Sequence, residues 1–255
     1  MRNKIVFLGT GTSQGVPIIG CRCDVCRSAD SHDKRLRTSA YVEYEGLRLC
    51  IDAGPDFRRQ MIDNGIDRLD AVLLTHQHKD HTGGLDDVRA FNYFTGKGFP
   101  VYAEKRVQES LKKEYYYAFA TDRYPGVPEF VLHTIDERPF SIGGAEIIPV
   151  RAMHHKLPVL GFRLGKLGYL TDAGFISETE ICKFKGVDIF IINAIQREPH
   201  LSHFSLGQAI EVAGKVGARR TFITHISHRL GKHRSLETEL PEGIEPAYDG
   251  LSLVF

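Results

Sequence analysis

Residues 72–84, VLLTHQHKDHTGG, constrain this chain more than any other stretch. The apolar run Ala71–Leu74 reads as a buried strand. It ends in four metal-capable side chains within six residues: His76, His78, Asp80 and His81. So many proton- and metal-binding groups held that close would repel one another or stay unsatisfied unless cations sat among them. Neutral imidazole together with carboxylate suits zinc, manganese or iron. A metal site at a strand tip is the expectation.

At 255 residues and 42% hydrophobic content the chain can fill a sizeable core, and the uninterrupted pattern favours one domain over 1–255. The formal net charge of +1 gives no reason to expect a polyanion-binding surface, so nucleic acid is not favoured as a partner. The opening MRNKIVFLG has no signal-peptide pattern, and no apolar run reaches membrane-spanning length. A cytoplasmic protein without a membrane partner is expected. Three of the five cysteines, Cys21, Cys23 and Cys26, fall within six residues, which suits a metal clip better than a disulfide and fits a reducing compartment. Cys50 and Cys182 lie in apolar surroundings and read as inert core.

Lys4–Leu8 reads as a strand followed by GTGTSQGVP. That glycine-rich stretch lacks a P-loop lysine and opens no helix, so a tight turn is expected rather than a phosphate cradle. Ser39–Tyr44 and Leu47–Ile51 form a hairpin around Glu45–Gly46, and Asp52 at the end of its second strand is either a ligand or, the preferred reading, a carboxylate that orients the histidine loop. Helices are expected over Phe57–Asn64, over Gly83–Asn92 with its N-terminus toward the metal loop, and over Val107–Ala118. The aromatic piece Tyr115–Tyr124 is either a lid that stacks on a ring or a helix burying one aromatic face and ending at Pro125. The second reading is preferred.

In the second half a strand over Ala145–Arg151 leads into His154–His155, and another over Gly168–Leu170 into Asp172. A strand over Asp188–Asn193 precedes an amphipathic helix, Ser205–Val216, introduced by His203. The strand Arg220–Thr224 ends in His225-Ile226-Ser227-His228. Strands and helices alternate and each polar cluster follows a strand. The expected α/β architecture is two β-sheets packed face to face, helices outside, strand-end loops meeting at one edge.

HxHxDH at residues 76–81, with a later histidine, aspartate and histidine each following a strand, resembles the metallo-β-lactamase superfamily. FLGTGTSQGVPIIGCRCDVC, IDAG, LLTHQHKDHTGGL, TDAG and THISH narrow the resemblance to the PhnP-type branch, the phosphoribosyl 1,2-cyclic phosphate phosphodiesterases. That branch is close to the tRNase Z group and to a pyrroloquinoline-quinone biosynthesis protein that shares the cysteine cluster. The resemblance implies an αββα sandwich. It further implies His76, His78 and His154 on one divalent ion, manganese or zinc, and Asp80, His81 and His225 on a second, with Asp172 bridging. Neighbours on an extended segment face opposite ways, so His155 should not bind if His154 does.

Water between two such ions becomes a hydroxide nucleophile near neutral pH. The resemblance puts Asp80 in the catalytic set and makes His203 a phosphate-contacting or proton-donating group, with His200 a weaker candidate and helix capping the bland alternative for His203. It also implies a structural zinc on Cys21, Cys23, Cys26 and His228; His32 and His233 are the other possible fourth ligands. The expected substrate is a small cyclic or sugar phosphodiester, and related proteins suggest a homodimer. Competing readings are hydrolysis of a lactone, thioester or lactam, a tRNase Z-like nuclease, for which no obvious basic arm exists, and a metal-binding biosynthetic accessory.

Overall fold

The computed structural model describes residues 2–255. The first sheet holds β1 (Lys4–Gly9), β2 (Ser39–Tyr44), β3 (Leu47–Ile51), β4 (Ala71–Leu73), β5 (Phe99–Ala103) and β6 (Phe130–Thr134). The second holds β7 (Phe140–Ile142), β8 (Ala145–His154), β9 (Leu157–Leu164), β10 (Leu167–Leu170), β11 (Ile189–Asn193), β12 (Arg220–Thr224) and β13 (Ile244–Pro246). Strand β14 (Ser252–Val254) returns to the first sheet, whose order is β14-β1-β2-β3-β4-β5-β6; the second runs β13-β12-β11-β10-β9-β8-β7.

Period-two alternation decides which side chain goes where. Ile5 and Phe7 of β1, Leu73 of β4, Phe162 of β9, Ile191 of β11 and Phe222 of β12 share one core between the sheets. Val6, Leu8, Val72 and Leu74 point the other way, into a cluster with Phe57 of α1 (Phe57–Asp63) and Val107 of a later helix. Phe190 and Ile192 likewise pack outward beneath helices. This is the expected αββα sandwich. Strands β3 to β6 run parallel, as do β10 to β13, so their C-terminal ends open toward common edges.

Four local expectations need correction. Residues 83–92 do not form one helix. A short α2 (Lys79–Thr82) carries Asp80 and His81, a 3-10 turn spans Leu85–Val88, and α3 (Arg89–Thr95) follows. The chain breaks there because the Gly84 N–H goes to the Ala53 carbonyl (2.9 Å) instead of a helical partner. The helix expected over Val107–Ala118 divides into α4 (Lys105–Glu114) and α5 (Tyr116–Phe119). At the break Tyr115 is buried and its hydroxyl donates to the Thr82 carbonyl at 2.7 Å. The aromatic segment is thus partly core, but its helix stops at Phe119, and Tyr116 and Tyr124 are exposed. Cys50 is fully buried, whereas Cys182 is exposed: on α6 (Glu178–Lys183) its neighbour Ile181 takes the buried side.

Candidate metal centre

The two sheets deliver the site through strand ends. Asp52 follows β3, His76 follows β4, His154 ends β8, Asp172 follows β10 and His225 follows β12. Asp52, Asp172 and His225 all adopt left-handed backbone, with φ of 63°, 56° and 54°. Such conformations cost a non-glycine residue roughly 1–3 kcal/mol and persist where the surroundings fix them. Two glycines permit the approach of the loops. A Cβ on Gly54 would stand 1.9 Å from the Asp80 carbonyl oxygen, and one on Gly174 would stand 2.8 Å from the Ser202 carbonyl. Each DAG motif therefore lets a second loop press against its aspartate.

The structure brings together all seven residues of the expected set. Ligand atoms of His76, His78 and His154 lie within 4.8 Å of one another, as do those of His76, His81 and Asp172, and those of Asp80, Asp172 and His225. Asp172 also groups with His154 and His203. One buried carboxylate thus touches both halves of the cluster.

Hydrogen bonds fix which ring nitrogen faces inward. His76 Nδ1 meets the Thr75 hydroxyl at 2.9 Å, His81 Nδ1 meets Asp52 at 2.7 Å, and His154 Nδ1 donates to the Ser202 carbonyl at 2.9 Å. This arrangement leaves Nε2 of each ring free for an ion, the usual design of a ligating histidine. His76 Nε2 and His81 Nε2 are buried without a hydrogen-bond partner. Yet His81 Nε2 lies 3.2 Å from oxygens of both Asp80 and Asp172. Atoms that share one ion at ~2 Å sit about this far apart, so the donor set fits a cation.

Charge agrees with that fit. Burial holds His76 well below the ordinary imidazole range, lowers His154, and pushes His225 down to about 4, so these rings are neutral donors. Burial also works against a charged His81, but Asp172 and Asp52 outweigh it and raise the ring well above the usual range. Burial would raise Asp172; His225 and His81 reverse that and hold it well below the carboxylate range. A divalent ion among these donors would supply the positive charge that Asp172 and Asp52 favour beside His81.

His155 is exposed and stands outside these groups. His203 is buried, with Nε2 3.1 Å from Asp172 Oδ1. It is not needed for capping: α7 (Leu206–Val216) is capped by Ser205, whose hydroxyl takes the Gln208 N–H while the Gln208 side chain takes the Ser205 N–H. His200 Nδ1 sits 3.2 Å from His203 Nδ1.

A second cluster lies nearby. Sγ atoms of Cys21, Cys23 and Cys26 stand 3.3, 3.4 and 3.7 Å from His228 Nδ1. The Cys26 N–H on its sulfur draws the Cys23 thiol down to about 6, while burial pushes Cys26 up to about 11. The other two candidate fourth ligands go elsewhere: His32 stacks on Tyr248 at 3.9 Å and His233 is buried beside Arg35 and Glu237.

A beta-lactamase superfamily domain model matches residues 47–226, most of the chain and all seven residues of the cluster from His76 to His225. The chain belongs to the β-lactamase superfamily. Within that superfamily, a solved structure described as a diphosphatase from the PhnP family is 40% identical, with a TM-score of 0.93 over 100% of this chain and 98% of the other. Zinc-bound PqqB from Methylobacterium extorquens shares the fold at 20% identity and a TM-score of 0.76, over 98% and 99% of the two chains. An octanoyltransferase from Porphyromonas gingivalis is 41% identical over 254 residues. That match takes 98% of this chain but only 51% of the relative, so the chain spans about half of that protein's length. The metallo-β-lactamase fold is the common ground, and between the two solved structures the similarity runs higher toward the PhnP-type one.

Some supporting residues escaped the sequence. Asn193 takes the Ala173 N–H (2.8 Å) and donates to the Ala173 carbonyl (2.9 Å), clamping the loop of Asp172. A lone amide closing the apolar IFIIN was the available signal. Arg106, which donates to Gln77 between His76 and His78 at 2.9 Å, left no such signal.

Proposed function

We propose that this chain is a dinuclear metal-dependent phosphodiesterase acting on a small cyclic or sugar phosphodiester. His76, His78 and His154 would hold one ion, Asp80, His81 and His225 the other, with Asp172 between them. A divalent pair there would supply Lewis-acid charge neutralisation and a water acidic enough to attack at neutral pH. Cys21, Cys23, Cys26 and His228 would hold a structural zinc that staples the N-terminal loop to the loop carrying His225.

The observation that carries the reading is His203, facing the cluster from outside both three-residue ligand sets. Hydrolysis puts one water oxygen on phosphorus and breaks the bond to the leaving alkoxide, which must gain a proton. His203 Nε2 points into the site at Asp172, and its Nδ1 is backed by Ser202 Oγ at 3.1 Å. A ring so held, with Nε2 aimed into the cluster and Nδ1 tied down behind it, suits a proton donor. The PhnP-family diphosphatase supports phosphorus chemistry. The deciding assay offers purified protein bis(p-nitrophenyl) phosphate, linear diesters and cyclic nucleotides with Mn²⁺ or Zn²⁺. Metal-replete protein that cleaves none of them refutes the proposal.

One observation favours a second reading, hydrolysis of an acyl ester or thioester: the P. gingivalis relative is named for octanoyl transfer. An octanoyl thioester run beside the phosphodiesters separates the two.

A further inference from the structure

The glycine-rich stretch after β1 is a turn, with the Gly15 N–H closing on the Thr12 carbonyl at 2.8 Å. Thr10 and Gly11, at its start, run between the segment that leads into β2 and the loop that carries His225. Gly11 pairs with Arg37 on one side and with Ile226 on the other. The Thr10 carbonyl accepts the Ile226 N–H at 2.8 Å, and the Gly11 carbonyl accepts the Thr38 N–H at 3.0 Å. A Cβ on Gly11 would stand 3.0 Å from the carbonyl oxygens of both Arg35 and Leu36, so a side chain there would crowd the passage.

Charged groups hold this passage in place. Asp249 Oδ1 accepts the Thr10 N–H at 2.9 Å and the Thr10 hydroxyl at 2.7 Å, and its Oδ2 accepts the Leu36 N–H at 2.6 Å. The buried Arg35 guanidinium donates to Thr10 Oγ1 at 2.7 Å and to the Ala247 carbonyl at 2.6 Å. The Thr10 hydroxyl thus sits between a guanidinium and a carboxylate, and each of its bonds is charge-assisted.

Thr38 is the member of this set that reaches the metal cluster. Its hydroxyl donates to the Gly11 carbonyl at 2.7 Å, and its Oγ1 lies 3.1 Å from His225 Nδ1, both residues being buried. A hydroxyl has one proton to give. With that proton on Gly11, Thr38 can only accept from the ring, so Nδ1 carries the hydrogen and the lone pair falls on Nε2. Asp172 Oδ2, 3.2 Å from the same nitrogen, is a second acceptor for that hydrogen.

We infer that Thr38 is a positioning residue that holds His225 with its hydrogen on Nδ1 and so presents Nε2 to an ion. The Thr10–Gly11 passage and its Arg35–Asp249 clamp keep the Thr38 proton turned away from the ring. The inference rests on the reading above in one respect, that His225 ligates an ion. Asp52 backs His81 with a carboxylate. Thr38 backs His225 with a neutral oxygen, so the direction of a hydrogen bond, and not a charge, does the selecting.

The test reads the ring and the ion separately. Long-range ¹H–¹⁵N NMR of the zinc-supplemented full chain near neutral pH should show the His225 hydrogen on Nδ1; a hydrogen on Nε2 overturns the inference whatever the variants do. Chelator competition then compares wild type with Thr38→Val, or with Thr38→Ala where valine does not fold. The variant should bind one active-site zinc about 10–100-fold more weakly, with the other ion and the zinc of the cysteine cluster unchanged. Thr38→Ser, which keeps the hydroxyl, should restore wild-type affinity. Unchanged affinity in Thr38→Val, or an equal loss at every zinc, overturns the inference. Should wild type take up no second active-site ion, the dinuclear reading fails and the free ring decides. A shift of the His225 hydrogen toward Nε2 in Thr38→Val then supports the positioning role, and no shift ends it.

Discussion

Oδ2 of Asp52 receives Nδ1 of His81 at 2.7 Å, in a spot sealed from solvent. The same carboxylate accepts the Thr75 N–H and hydroxyl, each at 2.8 Å. One side chain at the end of β3 thus fixes both the turn that leads into His76 and the ring of His81. Replacing it with asparagine removes a charge that pulls on the imidazole and leaves the amide NH₂ facing a donor. Asp52→Asn should weaken metal binding by about 10–100-fold, the range for such outer partners. Competition against a chelator of known affinity measures it, and wild-type affinity in the variant would show that His81 needs no such support.

His203 is expected to matter in proportion to the leaving group's need for a proton. His203→Asn should lower kcat on an alkyl diester by roughly 10²–10⁴-fold. p-Nitrophenolate departs without protonation, so the loss on bis(p-nitrophenyl) phosphate should be much smaller. An equal loss on both would assign His203 to binding instead.

The sulfur cluster gives a stability test. Cys21→Ser should lose one zinc per chain by elemental analysis. It should also lower Tm by about 4–12 °C, from ~2–3 kcal/mol at ~2–4 °C per kcal/mol for a chain of this size. A variant with unchanged metal content would remove the clip.

Glu104 ties the sheets together, pairing with Arg106 at 2.9 Å and with Arg151 of β8. Burial alone would raise its carboxyl, but the two guanidinium groups outweigh it and hold it below its ordinary 4.5. A carboxyl depressed in the folded state stabilises above its unfolded pKa, and that stability is lost as pH falls through the folded value. Glu104→Gln should therefore cost ~1–3 kcal/mol at pH 7, with the gap to wild type closing below about pH 4.5. Urea denaturation across that range reads it; a gap that widens in acid would reverse the sign.

Arg106 also donates to Gln77, so the same ion-pair network steadies the His76–His78 turn from behind. Nothing in the sequence marks Arg106 for that task, because arginines on helices are commonplace and its partners come from three separate segments.

Residue type and spacing pointed to a cluster of metal-capable donors, since an ion accepts few kinds of donor and crowding four of them after an apolar run has little other use. Alternation of apolar side chains likewise sufficed for the two facing sheets, because each strand must hide one face between them and the other beneath helices. Distances had to wait for the fold. Cys21 and His228 are 207 positions apart yet meet at 3.3 Å, and His203 comes within 3.1 Å of Asp172 where Gly174 admits the Ser202 loop. The break at Gly84 and the outward turn of Cys182 depend on what neighbouring segments offer. A hydrogen bond to Ala53 and a competing Ile181 are properties of packing, and packing is settled between parts of the chain that local sequence does not relate.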